Sequence, residues 1–499
     1  MKNTVSVSKQ ERRNLIAFPI ATVGRDMCSQ FFSLSVLNFI LFTKNLTVEQ
    51  FSAVSAIIVA ARVFDAFNDP IMGTIIDHTR SKIGKFKPWM IAGVITTSMV
   101  VFAAFVNNLT GWRFVGFFGF IYFMFSICFT MNDISYWGMI PALSSNPESR
   151  NRFTSRTMFF SGMGAAFVTV LVPMLTAGDH VIGGNAVTAY RTLAVVACLA
   201  PVTMLSAFIF VRENREDSGK KKENVSLGKI FKTIFRNDQL KWVALVFVCQ
   251  QVGSALISNG LGSTYIYLEF GYNGTLATLF TVIGMSSTVF LMLFYPAIAK
   301  KRSRNSLIKV SAAAVTAGYL FVLAAGLFAP HASMLKYGLI VSGFAVANFG
   351  SYCIYLIMNI SISNTVEYNE YKFGIREEGI ISSVRPFLTK LGNAVALMLI
   401  SLFYLLTGVT TYTNRISELE NQASQGLVTA DEKLRLITEA LAGVTRGETT
   451  GLLLAMTLIP LGTALFACFL YLKKYKITEE KYLEILGELE ENKAEETAD

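Results

Sequence analysis

FSAVSAIIVAARVFDAFNDPIMGTIIDHTRSKIGKFKPW, residues 51–89, is apolar enough over most of its length to cross a bilayer, yet it carries Arg62, Asp65 and Asp69 within the apolar part. Asp26 and Asp133 interrupt two further stretches of the same kind. An ionised carboxylate at the centre of a spanning helix costs roughly 3 kcal/mol, so four of them facing lipid would cost about 12 kcal/mol. They are therefore expected to face an interior cavity. Residues three and four apart share one side of a helix, which puts Arg62, Asp65 and Asp69 together, with room to hold a cation between them.

The rest of the 499 residues has the same character. Apolar side chains make up 53%, charged ones only 16%, and the mean hydropathy is +0.47, which is the composition of a polytopic membrane protein. Ten uncharged runs long enough for about 30 Å of hydrocarbon recur between residues 89 and 472. Two more, beginning near Asn14 and Gln50, carry charges inside, so twelve helices are predicted. The net charge of +10 is sorted by side: of 44 Lys and Arg, 32 lie before helix I, in every second loop and after helix XII, and eight lie in the alternate loops. The positive-inside rule then places both termini in the cytoplasm of a cell, bacterial by expectation, whose plasma membrane holds the chain. The first apolar segment contains Arg25 and Asp26 and runs far past a signal peptide's core, so it reads as a retained helix. All six cysteines fall inside predicted spans and imply no disulfide framework.

A polar segment from Arg212 to Lys241 with nine basic residues divides the helices into two sets. The predicted organisation is an N-terminal six-helix bundle over residues 1–211, a cytoplasmic linker over 212–241, a second six-helix bundle over 242–476 and a cytoplasmic tail over 477–499. The basic loop RSKIGKFK after helix II has a counterpart, KKRSR, after helix VIII. Helix IV running into V is likewise echoed by X running into XI. An all-α membrane protein of twelve transmembrane helices in two six-helix bundles with parallel similarity is the major facilitator layout, with its substrate near mid-membrane. Between helices XI and XII, residues 411–448 are polar, and DEKLRLITEALAGV from Asp431 predicts a short amphipathic surface helix. The tail reads as a few solvated helical turns ending in disorder.

A hard monovalent cation wants several oxygens, and Asp65, Asn68 and Asp69 offer them within about a turn of one helix. Thr130, about a turn before Asp133, offers another. A plainer role for Arg62 is to tie two helices together through one of these acids. Gly73, Asp77 and Arg80, with the basic residues that follow, read as a latch at the cytoplasmic ends of the helices. A carboxylate can accept hydrogen bonds from adjacent sugar hydroxyls, and an aromatic ring can cover the apolar face of a pyranose. Trp137 lies four residues after Asp133 and addresses the same space, where it could also simply pack.

Three segments, the helix II sequence from Asp65 to Trp89, TMNDISYWGMIP from Thr130 to Pro141, and VEYNEYKFGIREEG followed by Lys390, resemble the glycoside-pentoside-hexuronide:cation symporter family. The resemblance covers nearly the whole chain from Arg13 to about Lys476. It implies a cation site of Asp65, Asn68, Asp69 and Thr130, and sugar contacts from Asp26, Asp133, Trp137 and Arg156, with Arg25 as the basic neighbour on helix I. Arg62, Asp77, Glu367, Arg376 and Lys390 would serve coupling and gating. Two departures stand out. Asn364 occupies a place where the family commonly has an aspartate, with Glu367 following, and Arg385 is an added cation near Lys390. Tyr355 stands where the family's best-known member has a tryptophan. Tyr355 and Arg385 are thus further substrate candidates, and the extra positive charge favours an anionic sugar such as a hexuronide.

The function expected is symport of a small glycoside, pentoside or hexuronide driven by Na⁺ or H⁺ through alternating access. Na⁺ is preferred because Asn68 is of no use to a proton. The three histidines lie at loops or helix ends, which argues against a histidine relay. A sodium-coupled lipid carrier of related fold would want a more apolar cleft than Arg25, Asp26 and Asp133 provide. A membrane-embedded sugar sensor or enzyme would want a signalling domain, phosphate loop, metal cluster or nucleophile motif, none of which is apparent. The partners expected are a sugar, a monovalent cation and the lipid bilayer, with no cofactor, no nucleic acid and a monomeric chain.

Overall fold

The computed structural model describes residues 9–144, 147–212, 227–299 and 301–496. Residues 213–226 of the basic linker, Lys300 of the KKRSR loop and the last three residues of the tail lie outside the described residues. Among the described residues there are helices and no strands, and twelve helices are long and apolar enough to cross a membrane. The chain forms two compact units.

The first unit comprises Met1–Asn224, Asn273–Thr278 and Thr410–Ala442. Its helices in chain order are α1 (Lys9–Thr43), α2 (Val48–His78), α3 (Lys87–Phe105), α4 (Gly111–Leu143), α5 (Pro147–Thr176), α6 (Ala186–Ala197) and α7 (Ala200–Phe210). The sequence predicts one helix VI, but the span is broken between α6 and α7, where Pro201 enters just after the break and can give no backbone N–H. A capping box starts α2: Gln50 N donates to Thr47 Oγ1, and Thr47 N donates to Gln50 Oε1 at 3.1 Å. Between α1 and its neighbours the backbones meet without side chains. A Cβ at Gly164 of α5 would lie 2.2 Å from the Val23 carbonyl oxygen, and one at Gly24 would lie 2.8 Å from the Ala200 Cα of α7. These contacts fix the height and rotation of α1 beside residues 25 and 26, as small residues do where membrane helices cross closely.

The second unit comprises Val225–Tyr272, Leu279–Val409 and Gly443–Asp499. It is built from α8 (Leu227–Arg236), α9 (Asp238–Leu256), α10 (Gly262–Phe270), α11 (Gly274–Ala299), α12 (Arg304–Phe328), α13 (Met334–Phe373) and α14 (Glu378–Leu406). After α15 (Val409–Ser424) and α16 (Ala430–Leu441), both packed in the first unit, come α17 (Arg446–Lys474) and α18 (Glu479–Glu496). Predicted helix VII is divided into α9 and α10 by a wider turn over Ile257–Leu261, where Gly260 adopts φ 154°, a conformation that disfavours a Cβ. The tail differs from a free solvated helix. Arg304 N and Nε donate to Glu479 Oε1 at 2.6 and 3.1 Å, Lys476 N donates to Gln239 Oε1 at 2.7 Å, and Ile485 is completely buried. Its apolar residues, diluted by charge in the sequence, gather on one docked face.

The amphipathic helix predicted from Asp431 is α16, and α15 precedes it to form a hairpin. Lys433 and Glu420 are both fully buried, with Nζ at 3.1 Å from each carboxylate oxygen. Lys433 also donates to Gly184 O at 2.8 Å, and Glu420 Oε2 accepts from Ala186 N, the first residue of α6, at 2.6 Å. Burial pushes the Glu420 carboxyl up from its ordinary value while Lys433 pulls it back. Asn414 and Asn421 complete the docking through Leu46 O and Thr43 O, at 2.9 and 2.8 Å.

Gly164→Val should push α5 off α1, and overpacking of this kind typically costs about 1–3 kcal/mol. A lowered melting temperature in detergent is expected, whereas Gly162→Val, where a Cβ meets nothing within 4 Å, should melt like the parent. Equal melting temperatures for the two variants would refute the close-approach reading.

Candidate functional site

In the first unit, two seams meet on α4. The first lies between α2 and α4. Arg62 Nη1 sits 3.5 Å from Asp65 Oδ2, and Ser126 Oγ donates to Asp65 Oδ1. Asn68 Nδ2 donates to Ser126 O at 3.4 Å, and Thr130 Oγ1 donates to Asp69 Oδ1 at 3.0 Å. Asp65, Asn68 and Thr130 are buried. The Arg62 guanidinium lies over the Tyr122 ring at 5.9 Å. Asp65, Asn68, Asp69 and Thr130 are thus brought to one seam, with Arg62 at its edge. Sequence reasoning missed Ser126 and Tyr122. The signal was a stripe at four-residue spacing, Tyr122, Ser126 and Thr130, which one face of a helix must carry.

The second seam joins α1 to α4. Arg25 is buried and holds two acids. Nη2 and Nε donate to Asp26 Oδ1 at 2.6 and 3.1 Å, and Nη1 donates to Asp133 Oδ1 at 3.0 Å. The other Asp26 oxygen accepts from Thr22 Oγ1. The guanidinium plane lies 4.6 Å from the Tyr136 ring centroid and 5.7 Å from that of Trp137. Tyr136 is itself fixed: it stacks on Phe18 at 4.3 Å and donates to Phe18 O at 2.7 Å. Asp26 is largely buried, while the Asp133 side chain keeps 39% exposure. The more exposed of the two acids, Asp133, is therefore the one more open to a guest. Arg156 does not join this cluster; its Nη1 donates to Leu15 O at 3.0 Å. Thr130 and Asp133 are three residues apart on α4, a rise of about 4.5 Å. Asp77 lies away from both seams and pairs with Lys85 at 2.5 Å, with Trp89 Nε1 donating to Thr79 Oγ1 nearby at 2.7 Å.

The remaining candidates are in the second unit. Asn359, which sequence reasoning missed, links two of them: its Nδ2 donates to Tyr355 O at 2.7 Å and its Oδ1 accepts from Arg385 Nη1 at 3.4 Å. The Tyr355 ring packs against Phe247 at 5.8 Å. Arg376 gathers Glu367, Glu370 and Glu378 at 3.2, 2.7 and 3.1 Å, and these carboxylates hold its guanidinium above its usual pKa. Arg385, Arg376 and Glu367 line one cavity of about 490 Å³, together with Tyr482 of the docked tail. Lys390 is half-buried on α14. Asn364 turns its amide oxygen to Arg304 Nη1 at 2.7 Å in the orientation that satisfies both of its polar atoms.

Residues 31–479 match the family described as MFS/sugar transport protein. The chain is 28% identical over 449 residues to a lactose permease of Lactobacillus delbrueckii subsp. bulgaricus, covering 88% of this chain and 65% of that one. It is 27% identical to a raffinose carrier protein of Pediococcus pentosaceus, at 88% and 64% coverage. It therefore spans just under two thirds of the length of these relatives. A glucuronide carrier protein homolog of Escherichia coli is matched end to end, 23% identical with 96% of each chain covered. Among solved structures, a bacterial homolog of the lysosomal transporter Spinster has a TM-score of 0.62 at 11% identity, covering 94% of this chain and 98% of that one. A D-xylose–proton symporter has a TM-score of 0.57 at 12% identity, covering 88% and 99%. The fold is that of the major facilitators, and the chain belongs to the MFS/sugar transport protein family, among the glycoside-pentoside-hexuronide:cation symporters.

Proposed function

We propose that the protein carries a small glycoside across the bacterial plasma membrane in symport with Na⁺, both termini lying in the cytoplasm. The observation that carries this reading is the pair of seams on one helix. Through α4, Thr130 bonds Asp69 in the cation candidate, and one turn on, Asp133 bonds Arg25 in the sugar candidate. A cation drawn to Asp65 and Asp69 would take Thr130 and Ser126 as neutral ligands, a set suited to a hard monovalent ion. It would also relieve the repulsion between the two acids and set the rotation of α4, and hence of Asp133 and Trp137. Sugar hydroxyls would then compete with Arg25 for Asp133. Linkage requires that sugar raise cation affinity by the factor by which cation raises sugar affinity.

Alternating access of two six-helix sets supplies the transport step. Arg385, Tyr355 and Asn359 are the second unit's candidates for the sugar, and Arg385 favours a hexuronide. The relatives named for lactose, raffinose and glucuronide leave both neutral and anionic sugars as classes to test. The Arg25 cluster speaks against a lipid cargo, since three charged groups would line its path.

Binding of lactose, raffinose and a glucuronide to purified protein, with and without Na⁺ at fixed pH, should show at least one sugar bound more tightly with Na⁺. Asp65→Cys and Asp69→Cys should abolish that stimulation while some sugar binding persists; undiminished stimulation in both would sink the cation site. Ser126→Ala removes one neutral ligand worth about 1.4 kcal/mol, so roughly tenfold weaker Na⁺ activation is expected with sugar affinity at saturating Na⁺ unchanged. Arg385→Gln should lower the preference for a glucuronide over a neutral glycoside, and an unchanged ratio would remove Arg385 from the sugar site.

A further inference from the structure

At the end of the first unit that the proposed orientation places outside, a cavity of about 580 Å³ opens under the α15–α16 hairpin. That volume lies within the range of small-molecule sites. Its walls come from the end of α1, the two connections at residues 44–46 and 107–110, α6 and α15. Six of its fifteen lining residues carry side-chain amides: Asn45, Asn107, Asn108, Asn421, Gln422 and Gln425. No hydrogen bond engages the side chains of Asn45 or Gln425 among the described residues. Nε of Arg191 is buried without an acceptor, although its Nη2 donates to Asn108 Oδ1. Buried donors are rarely left unpaired, so a missing partner at this point is informative.

The lining also says what it is not built for. Lys44 is the other cation, but its ammonium is spent on Asn107 Oδ1, Asn107 O and Leu109 O at 3.0, 3.3 and 3.0 Å, and burial beside Arg191 pushes its pKa down to about 8. Glu418 stands in the same wall and opposes an anion. An apolar guest would strand the amides. A neutral molecule bearing many hydroxyls, each donor and acceptor at once, matches groups that are also both. The wall is held in place beforehand, because Asn421 is tied to Thr43 O and the hairpin is anchored by the buried Lys433–Glu420 pair. Little ordering cost then remains for a guest to meet.

We propose that this cavity is a peripheral docking site for a neutral glycoside, distinct from the α1–α4 seam, that collects oligosaccharide at the outer face. The choice of ligand rests on the sugar-transport reading. The test uses saturation-transfer NMR with raffinose on the full chain in detergent. Asp133→Asn combined with Trp137→Ala disables the inner site; a weaker raffinose signal should persist and fall at least fivefold when Asn108→Ala and Gln425→Ala are added. Gln425→Trp, which fills the cavity from an exposed position, should remove the same signal without lowering the melting temperature.

Loss of all signal in the inner-site variant while the parent binds raffinose would overturn the docking site and leave the transport reading standing. A residual signal insensitive to Asn108 and Gln425, or displaced by glycerol phosphate in preference to raffinose, would also overturn it. Signal that depends on Asn108 in the parent, with Asp133→Asn changing nothing, would keep the docking site and count against the inner sugar site.

Discussion

An ionised group in hydrocarbon must be neutralised by a neighbour, and the first unit is arranged around that requirement. Arg25 answers it for two acids at once. Its planar guanidinium forks between Asp26 on its own helix and Asp133 on α4, and two aromatic rings shield what the carboxylates leave open. Arg62 does the same on α2 with Asp65 and Tyr122. Because each cation reaches to α4 or to a group held by it, the register of α4 against both partners is set by charge as well as by packing. A buried network of this kind is indifferent to stability when complete and costly when broken, so it specifies one arrangement.

Packing without side chains does the rest. Glycines at 24 and 164 bring the α5 and α7 backbones against α1 next to the charged pair. The position of Arg25 is thereby decided by helices that contribute nothing to its hydrogen bonds. A site whose residues sit on rigid helices with such supports loses little entropy when a guest arrives.

Much of this was legible beforehand. Twelve spans followed from hydropathy, because hydrocarbon tolerates no unpaired backbone and each crossing must be a long apolar helix. The acids on α2 and Asp133 on α4 were conspicuous because charge in such surroundings is expensive. Their partners were not. Ser126 and Asn359 are ordinary polar residues in apolar helices, where the same residue serves equally to bond its own backbone, and only the facing helix distinguishes the two. Arg156 reaches the Leu15 carbonyl, a tertiary contact with no local signature. The breaks near Cys198 and at Ile257–Leu261 were hidden because hydropathy measures the environment and is blind to the turn of the backbone. The anchoring of the hairpin was hidden for a related reason: Lys433 reads as a surface charge until its buried partner is known.

That hairpin has a consequence for how the chain is made. Residues 410–442 complete the first unit but are synthesised after eleven of the twelve spans. At ordinary rates of about 5–20 residues per second, the first unit waits some tens of seconds for its last pieces. Through that interval the amide of Ala186 and the carbonyl of Gly184 lack the Glu420 and Lys433 partners that engage them in the finished structure. The N-terminal half taken alone therefore lacks a segment that belongs to its own compact unit, and a chain truncated before residue 410 would leave the docking surface of the hairpin uncovered.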